Sequence, residues 1–167
     1  MGNLRDVPFR HRQIPTLLAI ALATAPFSAS AQDTMAINAN VQRNCQLFAM
    51  PMMFGTISIL FPTATTQTSI LVDCTPNTPF AVSIDDGLNV TGGQRRMRRI
   101  GPGFGTYLNY EIYRNAARTQ RWGATAGQTV TGVAPANGKV TLTAYGRTQG
   151  FIAAGPFEDT VTVTITF

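Results

Sequence analysis

The last eight residues of the chain show the clearest pattern in the sequence, a strict alternation of threonine and apolar side chains. Successive side chains of a β-strand point to opposite faces, so this segment is predicted to be a strand with one buried face. We expect no later strand of the chain to cover its outer edge, and a bare apolar edge needs a partner. The apolar positions are Val161, Val163, Ile165 and Phe167.

A second alternation occupies residues 34–42. Its polar face consists mainly of threonine and side-chain amides, so the period of two predicts a strand here as well. The apolar face is made of Met35, Ile37, Ala39 and Val41.

Further segments between these two are typical of strands, because they alternate or are rich in β-branched and aromatic residues and end at Gly, Pro or Asn. Residues 128–133 and 139–145 flank a turn and are predicted to form a hairpin. Outside the N-terminal region no stretch has the apolar spacing of a helix. We therefore predict an all-β, antiparallel β-sandwich. The other predicted strands are 54–59, 68–74, 80–84 and 107–113.

The N-terminal region is predicted to be an export signal. A basic start with Arg5, Arg10 and Arg12 precedes a short apolar run at 17–23 and small residues up to Ala31. This order is typical of a secretory signal peptide, and the apolar run is shorter than the roughly 20 residues that span a bilayer. We predict a signal peptide at 1–31 and a domain at 32–167, without a membrane span after cleavage. The alternative is an uncleaved membrane anchor.

Composition argues against catalysis. The single histidine, His11, lies in the predicted signal peptide, so the domain cannot form a Ser-His-Asp site or a histidine-containing zinc site. Asp85 and Asp86 are followed by Gly87, which favours a turn over a catalytic or calcium-binding pair. Loss of the leader lowers the formal charge from +5 to +3. We expect no enzymatic activity, no metal and no cofactor.

Cys45 and Cys74 are the only cysteines in the chain. In an exported protein an even number of cysteines indicates disulfides, and here one pairing is possible. We expect the bond to join the first strand region to the strand at 68–74.

Residues 95–99 hold the densest charge in the sequence, four arginines around Met97 between glycines. One interpretation is a site for anionic surfaces such as lipopolysaccharide or nucleic acid. The other is a solvated, glycine-flanked hairpin or loop whose arginines pair with carboxylates such as Asp85 and Asp86. The aromatic side chains that nucleic-acid sites interleave with basic ones are missing, so the solvated loop is favoured and no nucleic-acid partner is expected.

Taken in order, several short motifs resemble the spore coat protein U family, the domain from which archaic chaperone–usher pili are built. The resemblance covers the whole predicted domain and includes the two cysteines. The motifs are Cys45 followed by Phe54 and Gly55, then 72–75, 80–87, 95–97, 108–114, Trp122 with Gly123, 145–147 and 155–167.

This resemblance implies an immunoglobulin-like sandwich that is incomplete and is completed by a donated strand. A periplasmic chaperone first lends the strand, and the N-terminal segment of another pilus subunit replaces it at an outer-membrane usher. Met35, Ile37, Ala39 and Val41 are then the candidate donor strand, and 161–167 the edge that receives it. The other possibility is that 34–42 is the domain's own first strand.

Three functions are compatible with the sequence. The favoured one is a structural subunit of a surface pilus, exported through the periplasm, that supports adhesion and biofilm formation. The second is a self-contained secreted coat or matrix protein. The third is a carbohydrate-binding minor adhesin with Trp122, Tyr107 and Tyr113 as its platform, although Trp122 is favoured as a core residue.

Overall fold

Nine β-strands and no helix make up the regular secondary structure that the computed structural model describes, which covers residues 30–58, 60–61, 63–101, 105–150 and 153–167. Most of the predicted signal peptide lies outside these residues. The chain divides into two units, Met1–Ala39 and Asn40–Phe167, and the strands belong to the second. They are β1 Cys45–Ala49, β2 Thr65–Cys74, β3 Pro79–Ile84, β4 Arg96–Arg99, β5 Tyr107–Tyr113, β6 Val130–Val133, β7 Lys139–Gln149, β8 Phe157–Glu158 and β9 Val163–Thr166.

The strands form two antiparallel sheets. The larger sheet has the order β1-β2-β7-β5-β4-β8, and the smaller one has the order β6-β3-β9. Inward side chains of both sheets make the core, among them Ile70 and Val72 on β2, Val82 on β3 and Ile112 on β5. The predicted antiparallel β-sandwich is therefore confirmed.

Period-two patterning located most strands because one face of each is buried. In β5, Leu108, Tyr110 and Ile112 are buried, as alternation predicts. In the C-terminal segment Val161, Val163 and Ile165 pack against the core, while the threonines between them are exposed. Main-chain pairing of that segment as β9 begins only at Val163.

The predicted hairpin of 128–133 and 139–145 is wrong. β6 pairs with β3 in the smaller sheet, whereas β7 pairs with β2 and β5 in the larger one. The turn between them therefore crosses from sheet to sheet, and Ala134 in it is buried and bonds the main chain of Thr78. Two adjacent strands with a turn signal give the same pattern whether the second strand pairs with the first or crosses over.

Two other predicted strands do not form in the described residues. Residues 51–57 have no regular pairing, and residues 30–44 are neither strand nor helix. An alternating pattern specifies which side chains share a face, but a strand exists only where a neighbouring strand accepts its hydrogen bonds.

The predicted disulfide is present, and it joins Cys45 at the start of β1 to Cys74 at the end of β2. These two residues are also directly opposite each other in the antiparallel ladder. The bond thus holds β1 at the edge of the larger sheet.

Candidate functional site: an open groove between two sheet edges

On one side of the sandwich two sheet edges adjoin without pairing with each other. β1 is an edge strand of the larger sheet, and β9 is an edge strand of the smaller sheet that pairs only with β3 among the described residues. The carbonyls of Thr160 and Thr162 accept hydrogen bonds from Leu88 and Asp85, on the β3 side. Main-chain groups alternate sides along an antiparallel strand, so those of the intervening valines and of Ile165 face the open edge.

An apolar groove of about 560 Å³ lies between these edges. One wall is the stretch from the end of β1 through Phe54, and the other wall is the start of β9. The floor is the core itself, including Ile70, Ile84, Tyr110 and Ile112, which are all nearly inaccessible to water. An added strand is the structure that could fill such a space, because it would supply both apolar side chains and main-chain partners for β9.

One end of the groove is closed and acidic. There the chain leaves β8 in the larger sheet and crosses to β9 in the smaller one, and Glu158, Asp159 and Thr160 line the groove. The Tyr110 hydroxyl donates to Asp159 Oδ2 at 2.7 Å, and Asn89 Nδ2 donates to Asp159 Oδ1 at 2.8 Å. Burial, followed by this bond to Asp159, raises the pKa of Tyr110 well above its ordinary value, so Tyr110 remains a donor.

The opposite end of the sandwich is where the domain begins. Cys45 lies opposite Cys74, a short turn leads from Cys74 to β3, and Ala81 near the start of β3 lies opposite Thr166. The start of β1 and the end of β9 are therefore at the same end of the sandwich. The crossing segment with Asp159 is at the other end, beside Ile84 and Val163.

Aromatic and thioether side chains line the β1 side of the groove. The ring of Phe54 packs edge-on against Tyr110, with centroids 6.2 Å apart. A β-carbon added at Gly146 would lie 2.5 Å from Met52 Sδ and 2.8 Å from Phe54 Cζ. The missing side chain at Gly146 thus makes the space in which Met52 and Phe54 lie.

A buried arginine, Arg95, binds main-chain carbonyls at the end of β3, the strand next to β9. Arg95 is completely buried, and its guanidinium forms an ion pair with Glu111 and donates to the carbonyls of Ile84 and Trp122, each at 2.9 Å. It also donates from Nε to the Asp85 carbonyl at 2.8 Å. Because Ile84 ends β3 and Asp85 follows it, Arg95 binds the main chain at the end of the strand that pairs with β9.

Burial of Arg95 contradicts the predicted solvated hairpin or loop at 95–99, although Arg95 Nη2 does lie 3.8 Å from Asp86 Oδ1, one of the predicted carboxylates. Residues 96–99 are strand β4, and Arg96 stacks on the ring of Tyr107 at 4.1 Å. The sequence shows the polar cluster but not which arginine points inward. The signal that could have found it is alternation with Met97, because Arg95 and Met97 share the inner face of the strand.

Asp85, Asp86 and Gly87 form the predicted turn. Gly87 has a φ of 80°, and its amide donates to Asp85 Oδ1 at 3.0 Å. Asp86 pairs with Arg121 at 2.6 Å. The two carboxylates therefore make separate structural contacts, Asp85 within the turn and Asp86 with Arg121.

Trp122 is completely buried, and its indole nitrogen donates to the Val82 carbonyl at 2.9 Å. The prediction of a core residue is confirmed, and Trp122 cannot be part of an exposed carbohydrate platform. Tyr113 is also buried, and only Tyr107 of that set is partly exposed.

The residues predicted to receive the donated strand and those predicted to donate it differ in burial. On the receiving side Val161, Val163 and Ile165 face the core, whereas Phe167 is 51 % exposed. The candidate donor segment takes part in no ladder among the described residues. Its larger apolar side chains are bare: Met35, Ile37 and Val41 are 85, 87 and 81 % exposed, and Ala39 is exposed as well.

Among the described residues, no cluster of three or more histidine, cysteine or acidic side chains could hold a metal ion. The same part of the chain has no helix of the length and hydropathy needed to cross a membrane.

Comparison with known proteins gives one family match and several matches to solved structures. The family model of the Spore Coat Protein U domain matches residues 31–164. No curated protein matches the chain. A chain in the crystal structure of the CsuC–CsuE chaperone–tip adhesion subunit pre-assembly complex, from archaic chaperone–usher Csu pili of Acinetobacter baumannii, is 25 % identical with a TM-score of 0.57. That match covers 76 % of this chain and 40 % of the other.

A chain from a chaperone–tip adhesin complex of CFA/I fimbriae biogenesis is 13 % identical, with a TM-score of 0.47, over 74 % of this chain and 41 % of that one. This chain thus spans less than half the length of the solved chains that it matches.

Proposed function

Because this chain belongs to the Spore Coat Protein U domain family, we propose that it is a structural subunit of a bacterial surface pilus. In this proposal a periplasmic chaperone first fills the open groove, and a neighbouring subunit replaces it at an outer-membrane usher. The likeness to a chain of a chaperone–subunit complex from archaic pili supports these partners. The protein is exported after removal of residues 1–31, reaches the cell surface as part of the fibre, supports adhesion and biofilm formation, and has no enzymatic activity.

The observation that carries the proposal is the match between an open groove and an unpaired apolar segment in one chain. The groove lacks a strand next to β9, and residues 35–41 place four apolar side chains on one face. Two of those side chains, Met35 and Ile37, are among the most exposed large apolar residues of the described chain. Exposed apolar segments and open sheet edges both promote aggregation, and both are covered when the segment of one copy binds the groove of another.

Donation of residues 35–41 to a neighbouring copy has a direct test in Ile37→Asp. A buried, unpaired carboxylate disrupts the groove of the recipient but leaves the donor's own domain intact. We expect Ile37→Asp subunits to be recovered folded with the chaperone and to form no fibres, as measured by electron microscopy and by the ladder of SDS-resistant polymers. The matched control is Asn38→Asp, on the outer face of the segment, which should form fibres normally.

The opposite result would show that residues 35–41 are the domain's own strand. In that case Ile37→Asp would misfold and be degraded even with the chaperone present. Soluble, monomeric, chaperone-free subunit from the unmodified chain would also contradict the proposal, because its groove would then be left open to water.

A further inference from the structure

Charged residues flank the apolar face of the donor segment. Continuing the alternation of Met35, Ile37, Ala39 and Val41 by one step in each direction reaches Asp33 and Arg43. The two charges therefore share the face that enters a groove, one at each end. Arg43 is exposed, and the described residues give its side chain no ion-pair partner.

The closed end of the groove carries the opposite charge to Arg43. Glu158 there is exposed, and Asp159 is partly buried. Asp159 accepts hydrogen bonds from Tyr110 and Asn89, and a carboxylate has about four acceptor sites, so it can accept more. The opposite end of the sandwich, where β1 starts and β9 ends, has no acidic residue in either strand or at Phe167.

We propose that Arg43 of one subunit pairs with Asp159 and Glu158 at the closed end of the next subunit's groove, and that this contact fixes the direction and register of the donated strand. The inference rests on the proposed function and adds the residue that sets specificity. The occupant of the groove is a second copy of this chain.

Register follows from matching the two alternations. An antiparallel strand with Ala39 opposite Val163 also places Val41 opposite Val161 and Ile37 opposite Ile165, and it brings Met35 to Phe167. All four apolar donor side chains then meet an apolar residue of the recipient. The next position of the same ladder sets Arg43 opposite Asp159.

Shifting the donor by two residues removes this match. In one direction Val41 lies opposite Asp159, and Arg43 lies opposite Phe157. In the other direction Arg43 lies opposite Val161, within the apolar part of the groove, where a charge without a partner is costly. One register alone satisfies both the apolar residues and the charges.

Direction follows from the same charges. A parallel donor would bring Asp33 to the acidic end, where like charges repel. An antiparallel donor brings Arg43 there and leads on to its own β1 at Cys45, beyond the closed end. Because the recipient's own chain enters at the opposite end, this arrangement repeats head to tail and produces an open fibre.

Cross-linking in fibres of the full chain tests the register. Directly opposite side chains have Cβ atoms about 5 Å apart, whereas diagonal ones are about 7–8 Å apart. We expect a short thiol cross-linker to join subunits carrying Ala39→Cys and Val163→Cys with the highest yield. Ala39→Cys with Val161→Cys, or with Ile165→Cys, are the matched controls and should give much less.

Charge reversal tests the role of Arg43. We expect Arg43→Glu to lower the rate at which fibres form at least about tenfold, because interfacial charge pairs carry coupling of this size or more. Glu158→Arg in the same chain should restore part of the rate. The matched control is Gln42→Glu, which adds the same charge on the outer face of the segment. The yield of each variant in complex with the chaperone shows whether it folds. Asp159 is left unchanged because it also holds Tyr110 and Asn89.

The outcomes separate this inference from the proposed function. Fibres that cross-link best through residue 161 or 165, or that form equally fast with Arg43→Glu, overturn the register inference while the pilus function stands. Absence of fibres from the unmodified chain, when the chaperone and usher are present, overturns the two together.

Discussion

Asp85 and Thr162 are bound to each other by two hydrogen bonds at the closed end of the groove. The Asp85 amide donates to the Thr162 carbonyl at 3.0 Å, and the Thr162 amide donates to Asp85 Oδ1 at 2.8 Å. Thr162 immediately precedes β9, and Asp85 immediately follows β3. A side-chain bond thus extends the pairing of β3 and β9 by one position, at the point where β9 enters an otherwise open edge.

Removal of this carboxylate charge should make the domain less stable at neutral pH. Burial alone would raise the pKa of Asp85, but the bonds from Thr162 and Gly87 and the charge of Arg95 outweigh burial and lower its pKa. A lowered pKa contributes stability that is present above the unfolded value of about 4 and is lost as pH falls through the folded value. We expect Asp85→Asn to lower the free energy of unfolding at pH 7 and to flatten its decline below pH 4.

The measurement is urea unfolding over a range of pH in a chain that carries residues 33–43 appended after Phe167, because the proposed function leaves the unmodified subunit dependent on its chaperone. The matched control is Asp73→Asn, an exposed carboxylate that pairs with Lys139 at the protein surface. An Asp85→Asn variant whose unfolding free energy falls with acid as steeply as that of the parent chain would contradict this account.

Supplying the donor strand within one chain should produce a stable monomer. The proposed register brings Met35 next to Phe167, so residues 33–43 appended after Phe167 through Asn-Gly would form a hairpin, with Asp33 and Thr34 completing a four-residue loop. In a chain whose own Ile37 is replaced by Asp, we expect chaperone-free, monomeric protein by size-exclusion chromatography. The same appended segment with its copy of Ile37 also changed to Asp should remain chaperone-dependent.

Arg95 should be essential for stability although it lies in the most basic part of the sequence. Arg95→Met leaves Glu111 with one partner fewer and removes the donor from the carbonyls of Ile84, Asp85 and Trp122. Breaking a buried ion pair costs about 3–5 kcal/mol. We expect a loss of that order in the free energy of unfolding of the appended chain. Arg98→Met, at an exposed position of the adjoining strand β4, should change it by less than about 0.5 kcal/mol.

Loss of the disulfide should loosen the groove wall that β1 provides. The bond closes a loop of 29 residues, which corresponds to roughly 3–4 kcal/mol in the chain-entropy treatment. In the chain with residues 33–43 appended, we expect the double change Cys45→Ser and Cys74→Ser to lower the unfolding temperature in calorimetry. Mass measurement after alkylation should show both thiols of the parent chain blocked until reductant is added. Two freely alkylating thiols in the native protein would contradict this prediction.

Several features of this protein follow from the sequence by itself. Alternation of apolar and polar residues identified β5 and the buried face of the C-terminal segment. A strand with one solvent-exposed face has an apolar side chain at every second position. The disulfide between Cys45 and Cys74 could be predicted because the chain has only these two cysteines. The matching apolar faces of residues 35–41 and 161–167 are also sequence properties, since each depends only on which side chains are apolar.

Only the tertiary structure decided how those strands are connected in space. β6 and β7 belong to different sheets because the turn between them crosses the core, and no local pattern distinguishes a crossing from a hairpin. Arg95 can be buried because its guanidinium is bound by groups from distant parts of the chain. These groups are Glu111 on β5 and main-chain carbonyls at the end of β3 and at Trp122. The groove itself depends on which two edges adjoin, and that is set by long-range pairing rather than by the residues that line it.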